Sequence, residues 1–307
     1  MGMRISRRDM MAGLAGAGAF SLLSGDLLAQ TAPLIQRKTP SSGETLPAIG
    51  IGTARRYEAI TDAAGLAPLR ETIRQFKASG GTVIDSSPTY GTAEAVVGDL
   101  ADELKIRDGL FLATKVSIMG REAGVQQIEQ SFKRYKTSRI DLIAVHNLRD
   151  TEIHLKTLRD LKQTGRIRYI GITTSFENQY ADFEAVVKRE TLDFIQIDYA
   201  LDNRNANDRI IPLARDRGMG VMINLPFGRG RLFSAVQGKP LPDWAAEFDC
   251  KTWPQFFLKY IIGNEAVTCA VPGMAKIEYV DDNLGAARGR LPDAAMRKRM
   301  ESFIDGA

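Results

Sequence analysis

The stretch TVIDSSPTYG, residues 82–91, decides how this chain is read. Thr82, Val83 and Ile84 have the β-branched, apolar character of a buried strand. The strand stops on a carboxylate, Asp85, and runs into a turn of Ser, Pro and Gly that carries Tyr90. A carboxylate at the edge of a core is costly unless a cation compensates it. The rest of the sequence is therefore expected to supply a cation for Asp85 and a use for Tyr90.

Working outward, seven more apolar runs share this character: AIGIGT (48–53), LFLATK (110–115), DLIAVH (141–146), RYIGITT (168–174), FIQIDY (194–199), GVMINLP (220–226) and VTCAVPG (267–273). Between them the spacing turns helical, as in Leu69, Ile73 and Phe76, or Val125, Ile128, Phe132 and Tyr135. Near-continuous Val/Ile/Leu runs suit strands covered on both faces, as in parallel sheets. Eight such units in about 240 residues match an α/β fold of the (β/α)8 TIM-barrel type, as a single domain. The alternative, an open doubly wound sheet, wants G-x-G-x-x-G after its first strand. GIGTAR (50–55) lacks the third glycine. Ahead of the first unit, TPSSGETLP (39–47) is turn-rich and predicts a short hairpin.

Composition excludes several classes. Lys and Arg total 41 against 37 acidic residues, a net charge of +4, and they are scattered, so no nucleic-acid partner is expected. No run approaches the ~20 apolar residues of a membrane span. The two histidines, His146 and His154, and the two cysteines, Cys250 and Cys269, fall in no metal-ligand spacing, so no metal site is expected. Cys269 sits within an apolar run and reads as a buried free thiol. The first residues read differently. SRRDMM (6–11), then the apolar AGLAGAGAFSLLSG, then LLAQTAP, follow the order of an export signal. The Arg7-Arg8 pair and the Gly/Ala-rich core resemble a twin-arginine signal. The expected division is an export signal over 1–31, cleaved near Ala29 to Ala32, and a barrel domain over 32–307. The mature protein would be periplasmic, with the export machinery as a partner and no membrane span after cleavage.

Active-site groups of a parallel barrel come from the C-terminal ends of its strands. Here the second, third and fourth runs end on Asp85, Lys115 and His146. Adjacent strands lie ~5 Å apart, so the three ends meet. Lys115 is the cation for Asp85. The same ammonium, placed beside Tyr90, is expected to pull the phenol down toward the range useful for general acid catalysis. His146 can donate a hydrogen bond to a carbonyl oxygen. A proton donor beside a polarised carbonyl still lacks a nucleophile, which a bound hydride donor would supply.

With these residues in place the chain resembles the aldo-keto reductase family over nearly all of residues 39–290. Asp85, Tyr90, Gly91 and Glu94 fit its Asp-x-x-x-x-Tyr-Gly-x-x-Glu motif, Lys115 and His146 complete its catalytic tetrad, and GRIRYIGIT (165–173) is its fifth strand. The resemblance implies reduction of a small aldehyde or ketone, with hydride from NADPH, or NADH as the competitor, and the proton from Tyr90. It places the cofactor along Gly52, Thr53, Thr173, Thr174, Gln196, Asn224, Leu225, Phe227, Gly228, Arg229, Gly273, Met274, Lys276, Asp282 and Asn283. Some positions depart from the family. Asn224-Leu225-Pro226-Phe227 replaces Tyr-Ser-Pro-Leu, so the aromatic that stacks on nicotinamide leaves its usual place. Met274 and Tyr279 stand where the 2′-phosphate is usually bound, leaving Lys276 as the only positive charge there. Ala54 replaces a common tryptophan, with Trp244, Trp253 and Tyr57 as candidate substitutes. Two other readings compete. One is an exported nucleotide-binding barrel without turnover, sensing redox state or serving a partner protein. The other is an oxidoreductase that keeps its cofactor through turnover. Substrate choice is assigned to the loops 54–64, 117–124 and 227–252.

Overall fold

The hairpin and all eight apolar runs form strands in the computed structural model, which describes residues 32–306. The segment expected to be the export signal, 1–31, lies outside the described residues. In chain order the strands are β1 (Gln36–Lys38), β2 (Thr45–Pro47), β3 (Ile51–Gly52), β4 (Val83–Asp85), β5 (Phe111–Val116), β6 (Ile140–His146), β7 (Ile167–Thr173), β8 (Phe194–Asp198), β9 (Gly220–Asn224) and β10 (Cys269–Ala270). β1 and β2 are the antiparallel hairpin. β3 to β10 pair in parallel in sequence order. The ring closes where β3 meets β10, through parallel bridges of Ile49 with Ala270 and Gly52 with Gly273. There the N–H groups of Gly50 and Gly52 donate to the carbonyls of Ala270 and Pro272 at 2.9 and 2.8 Å. The fold is a (β/α)8 barrel, not an open sheet.

Helices α1 (Ala63–Ala78), α2 (Ala93–Glu103), α3 (Arg121–Arg134), α4 (Thr151–Gln163), α5 (Tyr180–Arg189) and α6 (Ile210–Asp216) return the chain from β3 through β8. α7 (Arg231–Ala235) and α8 (Trp253–Ile262) follow β9, and α9 (Ile277–Ala286) and α10 (Ala294–Asp305) follow β10. Leu69, Ile73 and Phe76 of α1 are buried, as are Ile128 and Phe132 of α3 and Tyr135 just beyond it. Val125 departs from the expected stripe and is 38% exposed; the buried face of α3 runs through Gly124, Ile128, Ser131 and Phe132 instead. Cys250 and Cys269 are both buried free thiols.

What matters most for the site is the two-residue alternation of the strands, which sends every second side chain into the barrel. Val83, Phe111, Ala113, Leu142, Tyr169, Phe194, Met222 and Cys269 form one inner cluster. Phe111, Tyr169 and Phe194 are its aromatic layer, with ring centroids 5.4–6.1 Å apart. The hairpin plugs the end below this layer, contributing Leu46 to the cluster. Its Glu44 accepts from the Tyr169 hydroxyl at 2.6 Å, and Arg168 bridges Glu44 and Asp141 at 2.5 and 2.8 Å. Counting two residues onward from the cluster reaches the open end, at Asp85, Lys115, Gln196 and Asn224, and His146 and Thr173 lie four beyond Leu142 and Tyr169.

Outside the barrel, α2 and the end of α3 approach backbone to backbone. A Cβ on Gly98 would sit 2.0 Å from the Arg134 carbonyl oxygen and 2.8 Å from the Cα of Tyr135. Gly98→Ala is expected to cost ~1–3 kcal/mol by overpacking. Thermal unfolding followed by circular dichroism should show a midpoint several degrees lower. An unchanged midpoint would mean that the two helices separate freely.

Candidate active site

The compensation that Asp85 requires is provided in full. The Lys115 ammonium donates to both Asp85 carboxylate oxygens, at 2.8 and 2.9 Å, and to the Ser86 carbonyl at 2.6 Å. These three bonds use all three of its protons. Lys115 is only 2% exposed and Asp85 7%. Both stand on inward positions of adjacent strands, with Asp85 opposite Ala113, two residues before Lys115. Beneath the pair, the Thr53 hydroxyl donates to Ser86 Oγ at 2.8 Å, which ties the end of β3 to that of β4.

Above the pair lies Tyr90, its ring centroid 5.5 Å from the Lys115 ammonium. The His146 ring meets it edge-on at 6.2 Å. Tyr90 is carried by the turn that begins at Ser87, and its N–H donates to the Ser87 carbonyl. Glu94, four residues on and buried in α2, accepts from the Thr114 hydroxyl at 2.5 Å and from Arg134 at 3.0 Å. The turn is thereby anchored to β5 beside Lys115. Asp85, Tyr90, Lys115 and His146 all line one cavity of about 660 Å3 at the open end of the barrel.

The electrostatics differ from the sequence expectation in one respect. Burial pushes the Tyr90 phenol above its ordinary value. Lys115 pulls it down, but Asp85 and Glu58 offset that pull. The ammonium is committed to Asp85 and Ser86, so its field at the phenol is largely that of a neutralised pair. Tyr90 consequently stays protonated at neutral pH, the form that a proton donor requires. Lys115 itself is held above its ordinary value: burial opposes its charge, and Asp85, with Tyr90, outweighs burial. His146 is pushed down to about 3, by burial first and then by Lys115 and Arg149, and is a neutral imidazole.

Beside these groups the register sets out a polar shelf. His146 pairs with Thr173, and Thr173 with Gln196, so the three are level on neighbouring strands. The Thr173 hydroxyl donates to Gln196 Oε1 at 2.9 Å, and Asn224 Nδ2 donates to the Thr174 carbonyl at 3.2 Å. Gln196 Nε2 and Asn224 Oδ1 are left buried with no partner among the described residues. One is a donor and the other an acceptor, and both residues line the cavity. A primary carboxamide, which offers one acceptor and one donor group, satisfies both. The shelf fits the amide of a nicotinamide.

Of the other expected cofactor residues, Gly52, Thr53, Leu225, Phe227, Arg229 and Gly273 also line this cavity. Gly228 lines a neighbouring one with Asp202 and Arg231. Met274 is buried, and its carbonyl accepts from the Tyr57 hydroxyl at 3.0 Å. Lys276 stands at the N-cap of α9, with its ammonium 5.8 Å from the Tyr279 ring. Asp282 accepts from Thr252 and Gln255 at 2.6 and 3.1 Å, and Asn283 is buried next to it. These last four residues do not line the catalytic cavity. Nor do the expected aromatic substitutes. Tyr57 is fully buried, Trp253 stacks on Phe257 at 5.7 Å, and Trp244 packs on Phe256 at 5.6 Å. Phe227 and Phe233 supply the cavity's aromatic wall instead, with centroids 5.0 Å apart. Arg55, Arg56 and Glu58, from the loop 54–64 expected to set substrate choice, line the cavity, as do Asn147 and Ser175, which the sequence did not single out. Their only signal was a position just beyond a strand end.

Comparison with known proteins agrees with this architecture. The sequence profile of the Aldo/keto reductase family matches residues 48–304. The chain is 31% identical to the aldo-keto reductase YhdN of Bacillus subtilis (strain 168) over 194 residues, 58% of this chain and 56% of that protein, so the match spans little more than half of that relative's length. It is 25% identical over 289 residues to the probable aldo-keto reductase 1 of Glycine max, covering 78% of this chain and 82% of that one. Among solved structures, an aldo-keto reductase from Klebsiella pneumoniae in complex with NADPH superposes with a TM-score of 0.73 at 22% identity, over 88% of this chain and 95% of that one. The holo form of the aldo-keto reductase AKR11C1 from Bacillus halodurans gives 0.71 at 21% identity, over 88% and 96%.

The buried pair makes a stability prediction. Lys115→Met leaves the Asp85 carboxylate uncompensated and should cost ~3–5 kcal/mol. The raised lysine value means that the pair's contribution is complete at neutral pH and fades only as pH rises through the folded-state value. Urea unfolding at neutral pH is the measurement, with the double variant Asp85→Asn/Lys115→Met recovering most of the loss. A single variant as stable as the parent would show that the pair does not hold the strand ends together.

Proposed function

The chain belongs to the aldo/keto reductase family, and we propose that it reduces the carbonyl of a small aldehyde or ketone with NADPH. The observation that carries this reading is the stack of Tyr90 over the Lys115–Asp85 pair, with a neutral His146 facing it and the unsatisfied amide of Gln196 on the same cavity wall. When bound, the nicotinamide supplies a hydride to the carbonyl carbon. Gln196 and Asn224 would hold its carboxamide, with Thr173 fixing the glutamine. Gly228, Arg229 and Gly230, with φ of 55°, 57° and 99°, curl the loop after β9, and Arg229 brings a guanidinium to the cavity for the pyrophosphate. NADPH is the dinucleotide of the Klebsiella pneumoniae relative.

In this reading Tyr90 gives its proton to the carbonyl oxygen as negative charge develops there, and His146 donates a second hydrogen bond to the same oxygen. Two donors to the one oxygen on which charge develops stabilise the transition state more than the ground state. Lys115 stabilises the tyrosinate that remains, and Asp85 keeps the ammonium charged and aimed. Tyr90→Phe should therefore lower the turnover of simple aldehydes ~10²- to 10⁴-fold while nucleotide affinity stays within a small factor. Nicotinamide absorbance reports turnover, and fluorescence quenching reports affinity. Activity within threefold of the parent would end this assignment.

We further propose that the protein is exported folded, by the twin-arginine route, to the periplasm. What supports this is the sequence, Arg7-Arg8 before an apolar core rich in Gly and Ala, together with a cofactor cavity built from strands β3 to β10. A nucleotide made in the cytoplasm binds only a barrel that is already closed. Replacing Arg7-Arg8 by Lys-Lys preserves charge but not the planar guanidinium pair. Cell fractionation should then find the precursor retained in the cytoplasm. Normal periplasmic amounts of mature protein would defeat the twin-arginine route.

A further inference from the structure

A neutral imidazole donates from one nitrogen only, and the hydrogen bond at its other nitrogen selects which. His146 uses Nδ1 to meet the Ser87 hydroxyl at 3.3 Å. Its Nε2 has no partner among the described residues, and the residue lines the catalytic cavity. Ser87 is fully buried, so its hydroxyl has no solvent to turn to. Two more contacts converge on it: the Thr89 N–H donates to Ser87 Oγ at 3.3 Å, and the two hydroxyl oxygens lie 2.9 Å apart.

One arrangement of this small network satisfies every group in it and leaves Nε2 of His146 as the donor to the cavity. A serine oxygen has two acceptor sites and one proton. The Thr89 N–H takes one acceptor site. Thr89 is exposed, and its hydroxyl can fill the second by donating to Ser87. In that arrangement the Ser87 proton goes to His146 Nδ1. A carbonyl oxygen in the cavity only accepts, so His146 contributes to its binding only with the hydrogen on Nε2. We propose that Ser87 is a positioning residue that sets the Nε2–H tautomer of His146 and so makes the imidazole a donor to the substrate carbonyl. This rests on the reductase reading for its consequence but not for its detection.

The chain carries its own reference. Its second histidine, His154, is fully buried and has Nε2 2.6 Å from the Ile118 carbonyl, while its Nδ1 has no partner among the described residues. A carbonyl accepts, so His154 is an Nε2–H imidazole by construction. With two histidines in the whole sequence, long-range 1H–15N correlation spectra of the imidazoles are readily assigned. In the parent protein at neutral pH, His146 should show the same cross-peak pattern as His154. In Ser87→Ala the His146 pattern should move toward a mixture with Nδ1–H, while that of His154 stays. Carbonyl reduction should fall in kcat/KM in step with the Nε2–H fraction, and by no more than the about fivefold change in tautomer ratio expected from losing one hydrogen bond of ordinary net strength, with nucleotide affinity unchanged. An Nδ1–H His146 in the parent, or a tautomer that Ser87→Ala leaves untouched, would overturn the assignment. The spectrum of the parent is informative even if the variant folds poorly. It also reads the tautomer without turnover, so a protein that shows Nε2–H but reduces no carbonyl compound counts against the reductase reading alone.

Discussion

Everything at the open end of this barrel is arranged around one buried ammonium. Lys115 stands in a wall largely made of apolar strands, and the Asp85 carboxylate and the Ser86 carbonyl, with help from Tyr90 and Glu94, make its charge tolerable there. Those partners lie on the adjacent strand, so the pairing fixes how the ends of β4 and β5 face one another. The turn that leaves β4 then has little choice about where Tyr90 goes. Breaking such a pair leaves an uncompensated charge and costs more than the pair itself contributes. That asymmetry makes it a constraint on geometry more than a source of stability.

The same constraint explains the electrostatics. An ammonium free to face the phenol would pull strongly on its proton. An ammonium that has spent its three protons on Asp85 and Ser86 presents a nearly neutral pair, and burial then prevails at Tyr90. The site therefore keeps a protonated phenol and a neutral imidazole side by side, two donors with no net charge between them. A cavity of this kind favours a ligand that only accepts at that point. The unmatched polar atoms of Gln196 and Asn224 extend the logic to the adjacent wall, where a donor and an acceptor are both wanted.

A small departure in the turn shows how much such a site depends on residues that never reach the ligand. Ser87 is buried, short and ordinary, yet among the described residues its hydroxyl is the group that meets the inner nitrogen of His146. Nothing in the spacing of the strands singles it out. It becomes visible only when the donors and acceptors around the imidazole are counted.

Much of this was legible in the sequence. The eight apolar runs, their parallel order and the hairpin follow from local composition and period, because a strand covered on both faces can hardly be written otherwise. Asp85, Lys115 and His146 were legible because each ends an apolar run on an ionisable group, and Tyr90 because its turn begins there. The loops 54–64 and 227–252 were legible as cavity walls, but which of their side chains line it (Arg55, Arg56, Glu58 and Phe233) was not, nor were Asn147 and Ser175, since loop residues carry no period. The aromatic wall was sought in Trp244, Trp253 and Tyr57, which the fold uses to pack its helices and to bond Met274. Only the tertiary structure decided which partners a polar group meets: that Lys115 is saturated, that Tyr90 is held above its ordinary value, and that Met274, Lys276, Asp282 and Asn283 do not line the catalytic cavity. Period and composition are properties of neighbours along the chain. Hydrogen-bond satisfaction and burial belong to neighbours in space, and those exist only once the barrel has closed.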